Sequence, residues 1–140
     1  MKKLSTALIL SLCAVSCSDD AKRLAHGECP TLLPGWTKPS QGRSAFNTMN
    51  VITFSGTGII WNGQPIPNSK LKELLLLARS TDPVPITVLD TSGAPDCDTA
   101  TELQNVIDEA ADCRGDGHCG LGTRKDWKNA PGLSGPGWIE

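Results

Sequence analysis

The sequence predicts a small α/β (α+β) domain, a two-layer sandwich of β-β-α-β-α-β order in which two helices cover a sheet and disulfides staple the fold. Segments with strand periodicity and segments with helix periodicity alternate between about residues 47 and 123, which is typical of a sheet covered by helices. Four cysteines also lie beyond the N-terminal segment. An even number of cysteines predicts two disulfides in an oxidising compartment.

The first predicted element is a β-hairpin between residues 50 and 61. Apolar side chains at Ile52 and Phe54 alternate with their neighbours, as in a strand with one buried face. A turn over residues 55–58 leads to a second strand, residues 59–61. Asn62-Gly63 follows, a dipeptide typical of tight turns in which both φ angles are positive.

Two helices and two further strands are predicted after the hairpin. The first helix follows a cap at Asn68 or Ser69, and it has one apolar face formed by Leu71, Leu74, Leu75 and Ala78. Residues 86–89 form a short apolar run, which indicates a buried strand. The second helix opens at Thr99 with Glu102 in a capping box and ends near Arg114-Gly115. Residues 119–122 are the last predicted strand.

The N-terminal residues have the features of a secretory signal. Lys2 and Lys3 precede an apolar stretch, residues 4–15, of 12 residues, whereas a bilayer span needs about 20. The sequence Ala14-Val15-Ser16-Cys17 resembles the bacterial lipoprotein signal, which predicts cleavage after residue 16, acylation of Cys17 and membrane attachment through that lipid. Cys13 fits less well because Leu12 precedes it. An ordinary signal peptide with an incidental cysteine is the alternative.

Cleavage at this point removes 16 of 140 residues and leaves 124. We expect a lipid-anchored flexible tether at residues 17–46, a soluble domain at 47–123 and a Gly/Pro-rich tail at 124–140. Ser18 after the lipidated cysteine indicates the outer membrane, with the domain facing the periplasm. Loss of Lys2 and Lys3 changes the formal charge from −2 to −4, which argues against nucleic acid as a partner.

Geometry selects one of the three possible pairings of Cys29, Cys97, Cys113 and Cys119. A helix over residues 99–113 is about 21 Å long, too long for a bond between Cys97 and Cys113. If the last strand runs parallel to residues 86–89, Cys119 starts at the end of the sheet opposite Cys97. We therefore predict Cys29–Cys97 and Cys113–Cys119.

The run ITFSGTGIIWNGQPI, a Leu-rich helix, PITVLDTSGAP, a second helix and a closing GLG resemble the periplasmic domain of the ExbD/TolR biopolymer transport family. The resemblance covers about residues 49–123. It implies a non-catalytic binding or scaffold domain that pairs with itself as a homodimer and contacts peptidoglycan or an envelope protein.

Members of that family begin with a transmembrane helix carrying an aspartate that takes part in proton passage. Residues 1–18 contain no acidic residue, and Asp19 falls after the predicted cleavage point. The motor function of the family is therefore not expected of this sequence.

Cation or metal binding is the alternative function. Residues 113–119 bring Cys113, Cys119, His118 and Asp116 together, and such side chains bind zinc. Residues 96–116 include seven acidic residues and only one basic residue, an arginine, so this region could bind cations. A solvated helix face is the competing interpretation. The acidic residues are Asp96, Asp98, Glu102, Asp108, Glu109, Asp112 and Asp116.

We predict no enzyme activity and no cofactor. His26 and His118 lie in polar or glycine-rich segments without an evident orienting group, and no serine stands in a nucleophile elbow. A thiol-based redox protein would need a reactive Cys-x-x-Cys pair, which this sequence lacks. Trp127 and Trp138 are candidates either for packing onto the sheet or for contact with a partner.

Overall fold

A six-stranded mixed sheet forms the centre of the molecule. The structure is a computed structural model, and it describes residues 19, 22–24, 28–42, 48–56, 58–115 and 118–131. The predicted signal peptide, Cys17, His26, Asp116 and Trp138 lie outside the described residues. The strands are β1 (Trp36–Thr37), β2 (Met49–Ser55), β3 (Gly58–Trp61), β4 (Gln64–Ile66), β5 (Ile86–Leu89) and β6 (His118–Leu121).

The strand order is β1-β6-β5-β2-β3-β4. The four strands β1, β6, β5 and β2 are mutually parallel, whereas β3 and β4 continue the sheet as antiparallel hairpins. The principal helices are α1 (Asn68–Arg79), α2 (Cys97–Ala111) and the short α3 (Arg124–Lys128), together with a 3₁₀ turn at Pro39–Gln41. Residues 22–24 are also helical. The predicted α+β class and the predicted helices are confirmed.

The predicted hairpin is present, and the chain continues it by one strand. Asn62 and Gly63 have φ angles of 50° and 85°, as the turn dipeptide predicted. The Asn62 side chain accepts a 2.8 Å hydrogen bond from the backbone N–H of Val51, which fixes the turn against β2. Strand β4 was not predicted, because Pro65 interrupts its alternation of apolar and polar residues. The strand lies at the edge of the sheet, where proline is tolerated.

Helices α1 and α2 cover one face of the sheet. Their buried residues Leu75 and Ile107 pack in one cluster with Ile52 and Leu89 of the central strands, and all four are fully buried. Phe54 and Trp61 pack against the same cluster. This is the apolar face that the alternation of the first strand predicted.

The opposite face of the sheet is covered by residues that the sequence analysis assigned to the tail. Trp127 and Ala130 pack with Val51, Ile86 and Val88, which point away from α1 and α2 because successive strand residues face opposite sides. Trp127 is fully buried. Its ring lies against Gly120 so closely that a Cβ atom there would overlap it.

Two disulfides staple this sheet, in the predicted pairing. The Cα atoms of Cys29 and Cys97 are 5.6 Å apart, and those of Cys113 and Cys119 are 5.4 Å apart. Strand β6 runs parallel to β5, which was the condition used to disfavour a Cys97–Cys119 bond.

The folded unit is wider than the predicted limits of residues 47 and 123. Residues 28–42, assigned to a flexible tether, carry the Cys29 disulfide and strand β1, which pairs with β6. Trp36 is 3% exposed and belongs to the main core. Proline and glycine between short ordered pieces gave these residues the composition of a linker, although they pack on the domain.

The start and the end of α2 also differ from the prediction. The helix begins at Cys97, and its cap is Asp96, whose side chain accepts a 2.7 Å hydrogen bond from the Thr99 backbone N–H. The predicted Thr99–Glu102 capping box is therefore not the helix start. The helix ends at Ala111, where Asp112 adopts the left-handed conformation expected of Gly115.

Within the described residues, no helix combines the length and the apolar character required to span a bilayer.

Trp127 provides a test of the second apolar face. We expect Trp127→Ala to lower the free energy of unfolding by about 3–5 kcal/mol, because it removes a fully buried ring. Trp127→Phe should lower the free energy of unfolding by a smaller amount. The indole N–H has no hydrogen-bond partner among the described residues, so its removal leaves no acceptor unpaired. Urea denaturation measures both. The exposed Lys128→Ala on the same helix is the control, and equal stability of Trp127→Ala and wild type would contradict the packing.

Candidate functional site

An open cleft of about 560 Å³ lies at the carboxyl edge of the parallel strands. It is bordered by Lys38 to Ser40 after β1, Thr91 and Ser92 after β5, and Gly122 and Thr123 after β6. These three strands are parallel, so their carboxyl ends meet at one edge. Ligands of open parallel sheets bind in crevices at this edge.

Helix α3 and the residues after it form the other wall of the cleft. Asp126, Asn129, Ala130 and Pro131 line it. The wall is positioned by Trp127, which lies one residue after Asp126 and inserts into the second core cluster. Because α3 has only five residues, its position depends on this side chain and on its own start.

The start of α3 is held by a buried carboxylate, Asp90, which directly follows β5. One of its oxygens accepts hydrogen bonds from the Ser92 backbone N–H at 3.0 Å and from the Ser92 hydroxyl at 2.6 Å. The other oxygen accepts from the Arg124 backbone N–H at 3.1 Å. Asp90 is 7% exposed and thereby links the end of the central strand to the helix across the cleft. We assign it a structural role because both of its oxygens accept hydrogen bonds from groups of the fold itself.

The cleft combines polar groups with an apolar floor. Ser40 and Asn129 are exposed lining residues that carry a hydroxyl and an amide, whereas Leu121 and Ala130 are buried apolar ones. A volume of several hundred Å³ with a few polar groups over apolar surface is the usual composition of a small-ligand site.

Among the described residues, two charged side chains line the cleft, and they differ in their surroundings. Asp126 accepts a 2.7 Å hydrogen bond from the Thr123 hydroxyl, and that hydroxyl in turn accepts from the Asp126 backbone N–H at 3.1 Å. This pair caps α3. Lys38 is exposed and forms no ion pair with another described residue.

Three acids of the predicted cation-binding region contact basic side chains. Asp112 pairs with Arg79 at 2.7 Å, Asp108 with Arg114 at 3.0 Å, and Glu109 lies 4.0 Å from Lys72. Asp108 also accepts a 2.9 Å hydrogen bond from the Trp36 indole, so it ties β1 to α2. Within the described part of the chain, no three metal-ligating side chains converge.

The predicted cysteine and histidine candidates do not form a reactive centre. Cys113 and Cys119 are 2% and 1% exposed and bonded to each other, while His118 is an exposed residue at the start of β6. Cys29 and Cys97 are also buried and bonded.

A second, smaller cavity of about 270 Å³ lies between the first turns of α1 and α2 and the β2–β3 hairpin. Leu71, Leu103, Phe54 and Val106 contribute apolar surface, and Asn68 and Glu102 stand at its margin. The cleft at the carboxyl edge is twice as large and carries more varied polar groups, so it is the stronger candidate.

Sequence reasoning did not identify the cleft. Its walls come from the predicted tether, the β5 loop and the predicted tail, which no local pattern brings together. The parallel direction of β5 and β6, which the disulfide prediction took as a condition, was the one signal in the sequence, because it places Thr91 and Gly122 at a common edge.

Comparison with known proteins gives no further identification: no family model matches the chain, and neither a curated protein nor a solved structure is significantly similar to it.

Asp96 provides a pH test of the α2 cap. The hydrogen bond from the Thr99 backbone N–H, aided by the Thr99 hydroxyl, lowers the Asp96 pKa below its ordinary value of 3.8. A lowered folded-state pKa gives stability that is present above the ordinary pKa and is lost as pH falls through the folded-state value. At about pH 6, Asp96→Ala should therefore unfold at a lower denaturant concentration than wild type. The difference between the two unfolding midpoints should become smaller at about pH 2.5.

Asp96→Asn is the matched control for this test. Its amide oxygen can cap the helix at either pH, so its difference from Asp96→Ala should not change with pH. A wild-type advantage over Asp96→Ala that stayed constant down to the lower pH would contradict the assignment.

Proposed function

We propose that this protein is a bacterial envelope lipoprotein whose folded domain binds peptidoglycan or an envelope protein without doing chemistry. The observation that carries the binding function is the cleft at the carboxyl edge of β1, β6 and β5, about 560 Å³ in volume. Its position and its mixture of polar and apolar groups are those of a ligand site.

Export from the cytoplasm is supported by two independent features. The N-terminal residues have the pattern of a lipoprotein signal that ends before Cys17. The folded part has two disulfides, and stable disulfides are characteristic of proteins outside the cytoplasm. In this proposal the lipid on Cys17 holds the protein at a membrane, which the residue after it suggests is the outer membrane, with the domain facing the periplasm.

Peptidoglycan is the target that we place first. The resemblance of residues 49–123 to the ExbD/TolR periplasmic domain supports this choice, and so does the cleft, since a wall polymer offers hydroxyl, amide and carboxylate groups. The proposal includes no proton-driven motor function, which in that family depends on a membrane-embedded aspartate. A homodimer, which the same resemblance implies, is compatible with the proposal.

Cation binding by α2 has less support. A metal ion there would have to displace Arg79, Arg114 or Lys72 from the carboxylates of Asp112, Asp108 or Glu109. We therefore do not assign a cation to this helix.

The anchor is tested by replacing Cys17 with Ala. We expect the variant to leave the membrane fraction and the mature N-terminus to lose its acyl mass, because no other residue is proposed to carry lipid. Fractionation followed by mass spectrometry of the N-terminal peptide measures both. Cys13→Ala is the matched control and should remain acylated at Cys17. Retention of Cys17→Ala in the membrane fraction would sink the anchor hypothesis.

The binding function is tested with the mature chain without its lipid, residues 18–140, oxidised to form both disulfides. We expect it to sediment with purified peptidoglycan sacculi and to be released when a muramidase digests them. A parallel pull-down from envelope extract detects a protein target, and analytical sedimentation detects a homodimer. If the protein neither sediments with sacculi nor captures a partner from envelope extract, the proposed function is wrong.

A further inference from the structure

Two sets of basic residues in the described part differ in their surroundings. Lys72, Arg79 and Arg114 contact the acids of α2. Lys38 at the cleft and Arg124, Lys125 and Lys128 on α3 are all exposed. None of these four forms an ion pair with a described residue. The cleft and the adjoining helix are therefore positively charged on balance, although the whole chain has a formal charge of −2.

Lys38 is the cation that lines the cleft itself. The loop that carries it is fixed on both sides. Strand β1 precedes it and pairs with β6, and the Lys38 backbone N–H donates a 2.7 Å hydrogen bond to the Gln41 side chain at the 3₁₀ turn. A positioned loop with an exposed ammonium group can recognise an anion without a large ordering cost.

The other groups at the cleft indicate what carries the anion. Asp126 lines the same cleft, and its carboxylate would repel a polyanion such as a phosphate chain. It would attract an amide N–H or an ammonium group placed beside a single carboxylate. The apolar surface of Leu121 and Ala130 can receive small alkyl groups. A peptide with a free carboxylate provides all three features.

We infer that the cleft binds a carboxylate-bearing peptide of the cell wall, with the carboxylate against Lys38, backbone amides near Asp126 and Asn129, and a small alkyl side chain on the apolar floor. This inference rests on the proposed function and deepens it, because it assigns the site and the part of peptidoglycan that the site recognises. The sugar strand lies outside the cleft in this arrangement.

The test uses residues 18–140 and a soluble muropeptide that carries a tetrapeptide with free carboxylates. Titration followed by ¹H–¹⁵N spectra should shift the Asn129 side-chain amide and the Trp127 indole N–H, which lies beside the cleft residue Gly122. The indole signal is assigned by its loss in Trp127→Phe. The same muropeptide with amidated carboxylates should bind more weakly.

Paired variants separate the cleft from the rest of the surface. Lys38→Ala should weaken binding about fivefold, as expected for one exposed ion pair, while Lys38→Arg and the distant Lys70→Ala should bind like wild type. Ser40→Trp should fill the cleft and abolish binding with an unchanged thermal midpoint, because Ser40 is exposed. Ser69→Trp, on an exposed residue of α1, is its control.

The outcomes distinguish this inference from the proposed function. If wild type binds sacculi and Lys38→Ala and Ser40→Trp bind equally well, the cleft assignment is wrong and wall binding stands. If sugar strands without peptide bind as tightly as the muropeptide, the peptide assignment is overturned. If wild type binds neither sacculi nor muropeptide, this inference is wrong, and the proposed function fails as well if envelope extract also yields no partner.

Discussion

The burial of strand β5 on both faces is the constraint on which the rest of the fold depends. All four residues of Ile86–Leu89 are buried, and parallel neighbours pair with the strand on both sides. A parallel strand enclosed in this way needs apolar cover above and below. Helices α1 and α2 supply one cover, and Trp127 supplies the other. The segment after β6 is therefore part of the core, even though its composition is that of a tail.

The same strand also determines where the cleft forms. Asp90 directly follows β5 and accepts a hydrogen bond from the first backbone N–H of α3. The end of the strand that needs cover on its second face therefore also fixes the helix that provides this cover. The facing wall is fixed separately, by the Trp36–Asp108 hydrogen bond and by a disulfide that closes a loop of sequence separation 68. On the loop-entropy model such a disulfide stabilises the fold by about 4.4 kcal/mol. The cleft is the space between two walls that are anchored independently.

Local pattern predicted the elements whose stability is local, and it missed those that depend on distant partners. The hairpin, both long helices, β5 and β6 have their own periodicity or turn residues, and the pairing of the four cysteines followed from helix length and strand direction. Strand β1 has two residues, and its Thr37 hydroxyl contacts a partner 82 residues away, so no nearby residue indicates it. At the start of α2 two overlapping signals competed. Asp96 with Thr99 formed the cap rather than Thr99 with Glu102, because the helix begins earlier, at the disulfide-bonded Cys97.

The sequence held one further indication that was not used, and it concerns the site. The predicted buried strand is apolar at every position except Thr87, so it requires cover on both faces, and Trp127 was the one large aromatic residue close behind the last predicted strand. Combining these two facts would have placed the start of the tail over the sheet and its flanking residues at the carboxyl edge of β5 and β6. Net charge gave no such help. A formal charge of −2 argues against nucleic acid as a partner. The total does not reveal that three acids at the end of α2 are ion-paired, whereas the basic residues around the cleft have no ion-pair partner among the described residues. The net charge of a chain governs its long-range attraction to a partner. Recognition at a site depends instead on which charged side chains there have no ion-pair partner.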